Sequence, residues 1–362
     1  MSTLAESLAL AAPATAGSTI DCDIHVAPAS LAVLEEFMEP GWRALIAEWA
    51  WSGPPGLQTV HPPGAPNSVR PEWRGESPPG ADLASVREQV LDAWGVGHGI
   101  LNCYYALDSF RHPDLGVVMA QAINDWLIAE WLERDERLRA SMVVPAFVAA
   151  DAIAEIERVG HHPGFVQVLM PVRAPAPYGN RNWHPLLETI VEHDLVFGMQ
   201  WGGTSPGAPT PTGWPAWYVE EYAGEQQVYM SQLISLIGEG VFRRFPELRV
   251  AVLDVGFAWL PSLLWRLDKE WKGLRRTVPW IDRPASEIVR EHMRFTTAPL
   301  DGGPTAEMVR MLEWAGEDIV MFGSDYPRFH DDDIGGFLAA LAPEVRAKVL
   351  HGTAASFYSL GR

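Results

Sequence analysis

The sequence predicts a single-domain α/β fold, a closed (β/α)8 barrel of the TIM type with long loop insertions, and three observations predict it. Short apolar runs rich in β-formers alternate with stretches of helical periodicity eight times, the pattern of βαβ units around a parallel sheet. The length of 362 residues exceeds one small core and suits one large barrel carrying insertions. No Gly-x-Gly-x-x-Gly turn follows the first strand, which argues against an open dinucleotide-binding sheet.

The chain begins with an Ala-rich stretch, residues 1–19, that lacks a basic start and carries Glu6, so it reads as a flexible tail and not a signal peptide. The barrel is expected over residues 20–362. Its first strand runs from Ile20 to Val26 and contains Asp21-Cys22-Asp23-Ile24-His25. Side chains alternate along a strand, so Asp21, Asp23 and His25 are expected on one face and Cys22, Ile24 and Val26 on the other. A face of acid, acid and imidazole is costly to bury without partners, which makes it a metal site or a hydrogen-bonded polar cluster.

An insertion at about 27–81 follows, with a helical pattern from Leu31 to Trp51 and then a Pro/Gly-rich segment from Ser52 to Gly80. Its paired prolines exclude regular structure, so it reads as an irregular surface loop, or as partly disordered chain. Asp82 caps a helix from Leu83 to Trp94, and Gly95-Val96-Gly97 turns the chain into a second strand, Gly99 to Tyr104. The alternation continues with helix Leu115–Arg134, strand Leu138–Phe147, helix Asp151–Val159, strand Gly164–Met170, helix Pro185–His193 and strand Leu195–Gln200. After a Pro/Gly/Trp-rich loop from Trp201 to Trp217 come helix Val228–Phe245, strand Leu248–Leu253, helix Trp259–Leu274 and strand His292–Thr296. Helix Thr305–Trp314, strand Asp318–Phe322 and helices Ile334–Leu341 and Pro343–Leu350 close the chain.

Composition bounds the partners. A formal charge of -19 argues against nucleic acid and anionic membrane surfaces, and no apolar run reaches membrane-spanning length. A small-molecule substrate is the expected partner. The two cysteines, Cys22 and Cys103, fall in expected strands without disulfide or zinc spacing, which suits a reducing cytoplasm. Sixteen tryptophans are present, and Trp183, Trp201, Trp214, Trp217 and Trp259 fall on loops at the expected site face. They would wall a pocket for a flat substrate, or be buried against one another or a second subunit; a homodimer is expected, since such clusters are seldom left bare.

A barrel of this kind places its chemistry at the C-terminal ends of the strands. Asp23 and His25 end the first strand, Gln200 the fifth and Asp254 the sixth, while Asp325 follows the eighth in Phe322-Gly323-Ser324-Asp325-Tyr326-Pro327. Closure makes the first and eighth strands neighbours, so Asp23, His25, Gln200 and Asp325 are expected to converge around one divalent ion. His330 lies just beyond Asp325 on the same loop and is a further site candidate. Arg173 and Arg328 each offer a bidentate anchor for a substrate carboxylate, with a surface salt bridge as the alternative. His98, His161, His162 and His292 precede or begin strands, at the opposite face, and His193 ends a helix.

With these residues in place, the chain resembles the amidohydrolase superfamily, and within it the branch of aminocarboxymuconate-semialdehyde and γ-resorcylate-type decarboxylases. The resemblance runs from Ile20 onward. It rests on Asp23-Ile24-His25, Asn124-Asp125-Trp126, Arg137-Leu138, Gly240 to Leu248, Trp259-Leu260-Pro261, Trp265-Arg266-Leu267-Asp268 and Gly323 to Pro327. It implies a TIM-type barrel with a divalent metal, zinc or manganese. It also implies that His25 binds that metal, that Asp23 fills a position held by histidine or an acid, and that Asp325 binds metal or moves a proton. The chain departs at Gln200, where the family has a metal-binding histidine, at Asp254, where many relatives have a catalytic histidine, and at Arg328, where a histidine is common.

The resemblance implies a metal-dependent hydrolase or non-oxidative decarboxylase of a small aromatic or cyclic carboxylic acid or its derivative. Asp325 and Asp254 are the expected catalytic residues, with Arg173, Trp201, Arg328 and His330 binding substrate. Because amide oxygen is a poor zinc ligand, Gln200 keeps a second expectation open: a metal-free acid/base enzyme working through Asp325 and Asp254, or a ligand-binding barrel.

Overall fold

The computed structural model of the protein describes residues 19–53, 69–74, 78–105, 107, 112–202, 208, 210, 212–328, 330 and 332–360. The expected tail, apart from Thr19, and residues 54–68 of the Pro/Gly-rich segment lie outside them, as does much of the 201–217 loop.

Eight strands form one sheet in sequential order: β1 (Thr19–His25), β2 (Val96–Asn102), β3 (Leu138–Val143), β4 (Phe165–Pro171), β5 (Val196–Gln200), β6 (Val250–Val252), β7 (Met293–Thr296) and β8 (Val320–Met321). Every neighbouring pair is parallel. The barrel closes where Cys22 N donates to Phe322 O (2.9 Å) and His25 N donates to Tyr326 O (2.7 Å). Helices surround this barrel, as the alternating pattern predicts, and among the described residues none is long and apolar enough to cross a membrane.

Two apolar layers follow from strands buried on both faces. An inner cluster takes alternate residues of the strands, Ile20, Cys22, Ile100, Leu169, Val196, Ala251 and Met321, together with Phe357 and Tyr358 from the C-terminus. The intervening residues, among them Leu101, Val168, Phe197, Val250 and Val320, join the outer cluster beneath the helices. Helix Ala149–Val159 shows how the sequence builds that layer: Ala152, Ile156 and Val159 recur on one face and are buried. Helix Thr353–Phe357 and the residue after it close the end of the barrel where the strands begin, and Arg249 Nη1, just before β6, holds Phe357 O at 2.6 Å.

Several elements differ from expectation for identifiable reasons. The helical pattern from Leu31 to Trp51 splits into Leu31–Glu35 and Pro40–Glu48, because Pro40 lacks the amide that would continue the helix. Two expected helices end in π turns, Arg87–Leu91 and Ile128–Leu132. Helices Tyr218–Gly224 and Ala285–His292 were not expected.

β1 corrects the simple alternation. In its pairing with β2, Asp21 lies opposite Gly99 and Ile24 opposite Leu101, so β1 carries one extra residue between them. This bulge reverses the facing of the residues beyond it. Ile20 and Cys22 point into the barrel, Ile24 packs outward, and Asp23 and His25 turn inward. Asp21 therefore does not share their face; its Oδ1 accepts from Ser324 N (3.0 Å) and Asp23 N (3.1 Å), fixing the loop after β8.

Candidate active site

Each residue of the cluster is delivered by a strand end. Asp23 and His25 come from β1 beyond the bulge, and Gln200 is the last residue of β5. Asp254 and Asp325 follow β6 and β8, both in the left-handed backbone region, with φ of 63° and 53°. Aspartate tolerates that region better than most residues, and such conformations gather at functional sites. Gly323 permits the approach of β8 to β1: a Cβ there would lie 3.0 Å from Asp23 Cβ and 2.9 Å from Thr296 Cβ.

His25 is the centre. Its Nε2 lies 2.7 Å from Asp325 Oδ1 and 3.2 Å from both Asp23 Oδ1 and Asp254 Oδ1. Its Nδ1 lies 3.3 Å from Gln200 Nε2. One ligand atom from each of Asp23, His25, Asp254 and Asp325 falls within 4.8 Å of every other, so this group can hold a metal ion. Gln200, expected as a ligand, touches the far side of the imidazole, and Asp254 joins the four directly.

Charged neighbours surround the cluster. Arg328 Nη1 lies 3.2 Å from Asp325 Oδ1 and 3.4 Å from Asp254 Oδ2, so this arginine sits inside the site and is not the surface salt bridge of the alternative reading. His330 Nε2 contacts Asp325 Oδ2. Burial would raise the Asp325 carboxyl, but Arg328 and the bonds from His25 and His330 hold it well below the usual carboxylate range. Burial and Arg328 pull His25 down, yet Asp23 and Asp254 outweigh them and hold it well above an ordinary imidazole. Asp23 is raised by burial and then by Asp254, with His25 opposing.

The donor set fits a cation. Asp23 Oδ2, Asp254 Oδ2 and Gln200 Oε1 are buried without a hydrogen bond, although the Arg328 guanidinium stands near Asp254 Oδ2. Buried polar oxygens of this kind require a partner, and three carboxylates with one imidazole make an oxygen-rich donor set for a divalent cation.

The amidohydrolase family model matches residues 20–360. The chain belongs to the amidohydrolase family. No protein of curated function matches it in sequence. Solved structures share its fold: a dihydroxybenzoic acid decarboxylase from Polaromonas sp. JS666 with bound manganese and the inhibitor 2-nitroresorcinol (20% identity, 96% of this chain and 98% of that one, TM-score 0.68). A 2,6-dihydroxybenzoate decarboxylase from Rhizobium (18%, 95% and 99%, 0.68) and a 5-carboxyvanillate decarboxylase from Sphingomonas paucimobilis (19%, 94% and 99%, 0.68) are similar to the same extent.

Beside the expected Trp201, this amidohydrolase brings in Tyr229, Glu225 and Tyr222, which the sequence pattern did not single out. Trp201 stacks on Tyr229 with ring centroids 6.4 Å apart, and both are buried. The Tyr229 hydroxyl is buried with no hydrogen-bond partner, and it feels the charges of Asp254, Glu225, Asp23 and Arg328. Buried Glu225 and half-buried Tyr222 come from the same region of the chain and feel Asp254, Arg328 and Asp325. No local signal marks their aim, because it is set by how the helices after β5 pack back over the barrel.

The remaining expected residues make other contacts. Arg173 lies with its guanidinium 5.3 Å from the Trp214 ring, and Trp214 is 68% exposed. Trp217 is 75% exposed, whereas Trp183 and Trp259 are buried against Tyr178 and Phe295. His161 and His193 pair their rings at 4.6 Å, and His292 bonds Leu248 O, both away from the cluster.

Proposed function

We propose that this amidohydrolase is a divalent-metal-dependent, non-oxidative decarboxylase of a small aromatic or cyclic carboxylic acid. The observation that carries the reading is the convergence of Asp23, His25, Asp254 and Asp325 on one point beside a stacked aromatic wall. Aromatic-acid decarboxylases among the structural neighbours, one with manganese bound, support the same chemistry.

Asp23, His25, Asp254 and Asp325 would hold the ion. A divalent ion there supplies a positive centre that takes up negative charge developing as the carboxyl group leaves. Trp201 and Tyr229 offer a flat apolar wall for the ring, and Arg328 pairs with the substrate carboxylate by turning from Asp254 and Asp325. His330 keeps its proton more tightly than an ordinary imidazole: burial opposes this, but the bond to Asp325 prevails. That proton passes to Asp325 Oδ2 and then to the ring carbon. The bond to the carboxyl carbon breaks, its electron pair takes the proton, and carbon dioxide departs.

One observation favours a second reading, hydrolysis of an ester or amide of such an acid. Asp325 is held ionised by Arg328, His25 and His330, the state of a base ready to take a proton from water. A panel of hydroxybenzoates and their esters, incubated with manganese-loaded protein, separates the two. Carbon dioxide release with formation of the decarboxylated ring supports decarboxylation, and acid release from esters alone supports hydrolysis.

The two buried thiols, Cys22 and Cys103, fit a reducing cytoplasm. Exposed Trp214, Trp217 and Val219 on one segment supply an apolar face for a homodimer.

A further inference from the structure

A chain of buried polar side chains runs through the barrel interior from the cluster to its opposite end. Asn102 Nδ2 donates to Asp23 Oδ1 (2.7 Å), and Ser141 Oγ donates to Asn102 Oδ1 (2.6 Å). Gln167 Nε2 donates to Ser141 Oγ (2.8 Å), and Tyr358 Oη donates to Gln167 Oε1 (2.8 Å). Asn102 ends β2, Ser141 and Gln167 lie within β3 and β4, and Tyr358 follows the helix that closes the far end. All are buried. Gly198 on β5 leaves the space: a Cβ there would fall 2.5 Å from the Gln167 side chain.

The direction of the chain is fixed by its ends. Asn102 turns its NH2 to Asp23 Oδ1 and its oxygen to Ser141, the arrangement in which Asp23 only accepts, as an ionised metal ligand must. Ser141 then gives its proton to Asn102 and accepts from Gln167, whose oxygen faces the phenol of Tyr358. Burial holds that phenol protonated, as a donor. Each bond thus donates toward Asp23, and aligned bonds polarise one another. Asp23 Oδ1 is occupied and oriented, while Oδ2 remains buried with no hydrogen bond.

We propose that Tyr358, Gln167, Ser141 and Asn102 are positioning residues that set the cation affinity of the cluster by presenting Asp23 Oδ2. This rests on the metal-dependent reading given above. Partners behind metal ligands commonly change affinity by about 10- to 100-fold when removed. Tyr358→Phe removes only the terminal hydroxyl, so Gln167 and Asn102 lose the donor that fixes their amide orientation.

The test is manganese titration by calorimetry of chelator-stripped wild type, Tyr358→Phe and Ser141→Ala, with thermal unfolding of each. Phe357→Leu serves as a control, since Phe357 packs in the same inner cluster without joining the chain. The expected result is manganese affinity about tenfold weaker or more in Tyr358→Phe and Ser141→Ala, and unchanged in Phe357→Leu even where its unfolding midpoint falls. Equal affinity in all four proteins would overturn the positioning role and leave the metal reading standing. Absence of manganese binding in wild type would overturn both.

Discussion

His25 Nε2 lies 2.7 Å from Asp325 Oδ1, which joins the first strand of the barrel to the loop after the last. The contact depends on two backbone devices, the bulge that turns His25 inward and the left-handed conformation of Asp325. Asp325 also meets His330 and Arg328, so one carboxylate links three cationic or potentially cationic groups.

Replacing Asp325 with Asn keeps the shape and removes the proton carrier. Turnover should fall by about 10²- to 10⁴-fold, the usual contribution of general acid–base catalysis, with the circular dichroism spectrum unchanged. Undiminished turnover in Asp325→Asn would remove Asp325 from the chemistry.

Gln200→His tests the departure at the end of β5. Gln200 contacts His25 Nδ1, across the imidazole from the carboxylates, and carries a buried oxygen without a hydrogen bond, so a histidine there tests whether a nitrogen donor at position 200 reaches the ion. Zinc affinity should rise by roughly tenfold or more relative to wild type, because imidazole suits zinc better than an amide oxygen. Identical zinc isotherms would show that position 200 does not reach the ion.

Much of this was legible. The alternation of strand and helix gives the barrel, and strand ends give Asp23, His25, Gln200, Asp254 and Asp325. The bulge in β1 was not legible, because Asp-Cys-Asp-Ile-His reads as plain alternation and the extra residue shows only against Gly99 and Leu101 of β2. Helix Ala285–His292 escaped for a similar reason. It has no side-chain cap of its own, and Asp268 from another helix accepts from Ser286 N (3.0 Å) and Ser286 Oγ (2.6 Å) instead. Tyr229 looks like any core aromatic in sequence, and only the folded structure shows it stacked on Trp201 with its hydroxyl buried and unbonded.

Asp21 predicts a pH dependence of stability. Burial, opposed by bonds from Ser324 and Asp23 and by His25, raises it from 3.8 to about 6. The folded protein binds this proton more tightly than the unfolded chain, so the stabilisation is fully present below pH 3.8 and is lost as pH rises through about 6. The difference amounts to about 3 kcal/mol. Asp21→Asn keeps an acceptor for Ser324 and cannot ionise, so its urea-unfolding free energy should gain on wild type by up to that amount between pH 4 and pH 7. Parallel profiles for the two metal-stripped proteins would contradict this account.

Tyr229→Phe should leave stability unchanged or raise it by up to about 1–3 kcal/mol, since the hydroxyl it removes is buried without a partner. The same change should raise KM for the aromatic acid several-fold if that hydroxyl meets a substrate oxygen. A loss of stability with unchanged KM would make Tyr229 a structural residue only.

The most direct measurement of the central claim is anomalous diffraction from crystals soaked in manganese. The account predicts one strong peak per chain at bonding distance from His25 Nε2 and from carboxylate oxygens of Asp23, Asp254 and Asp325. A map with no peak among these four residues, or with its peak held by other side chains, would contradict it.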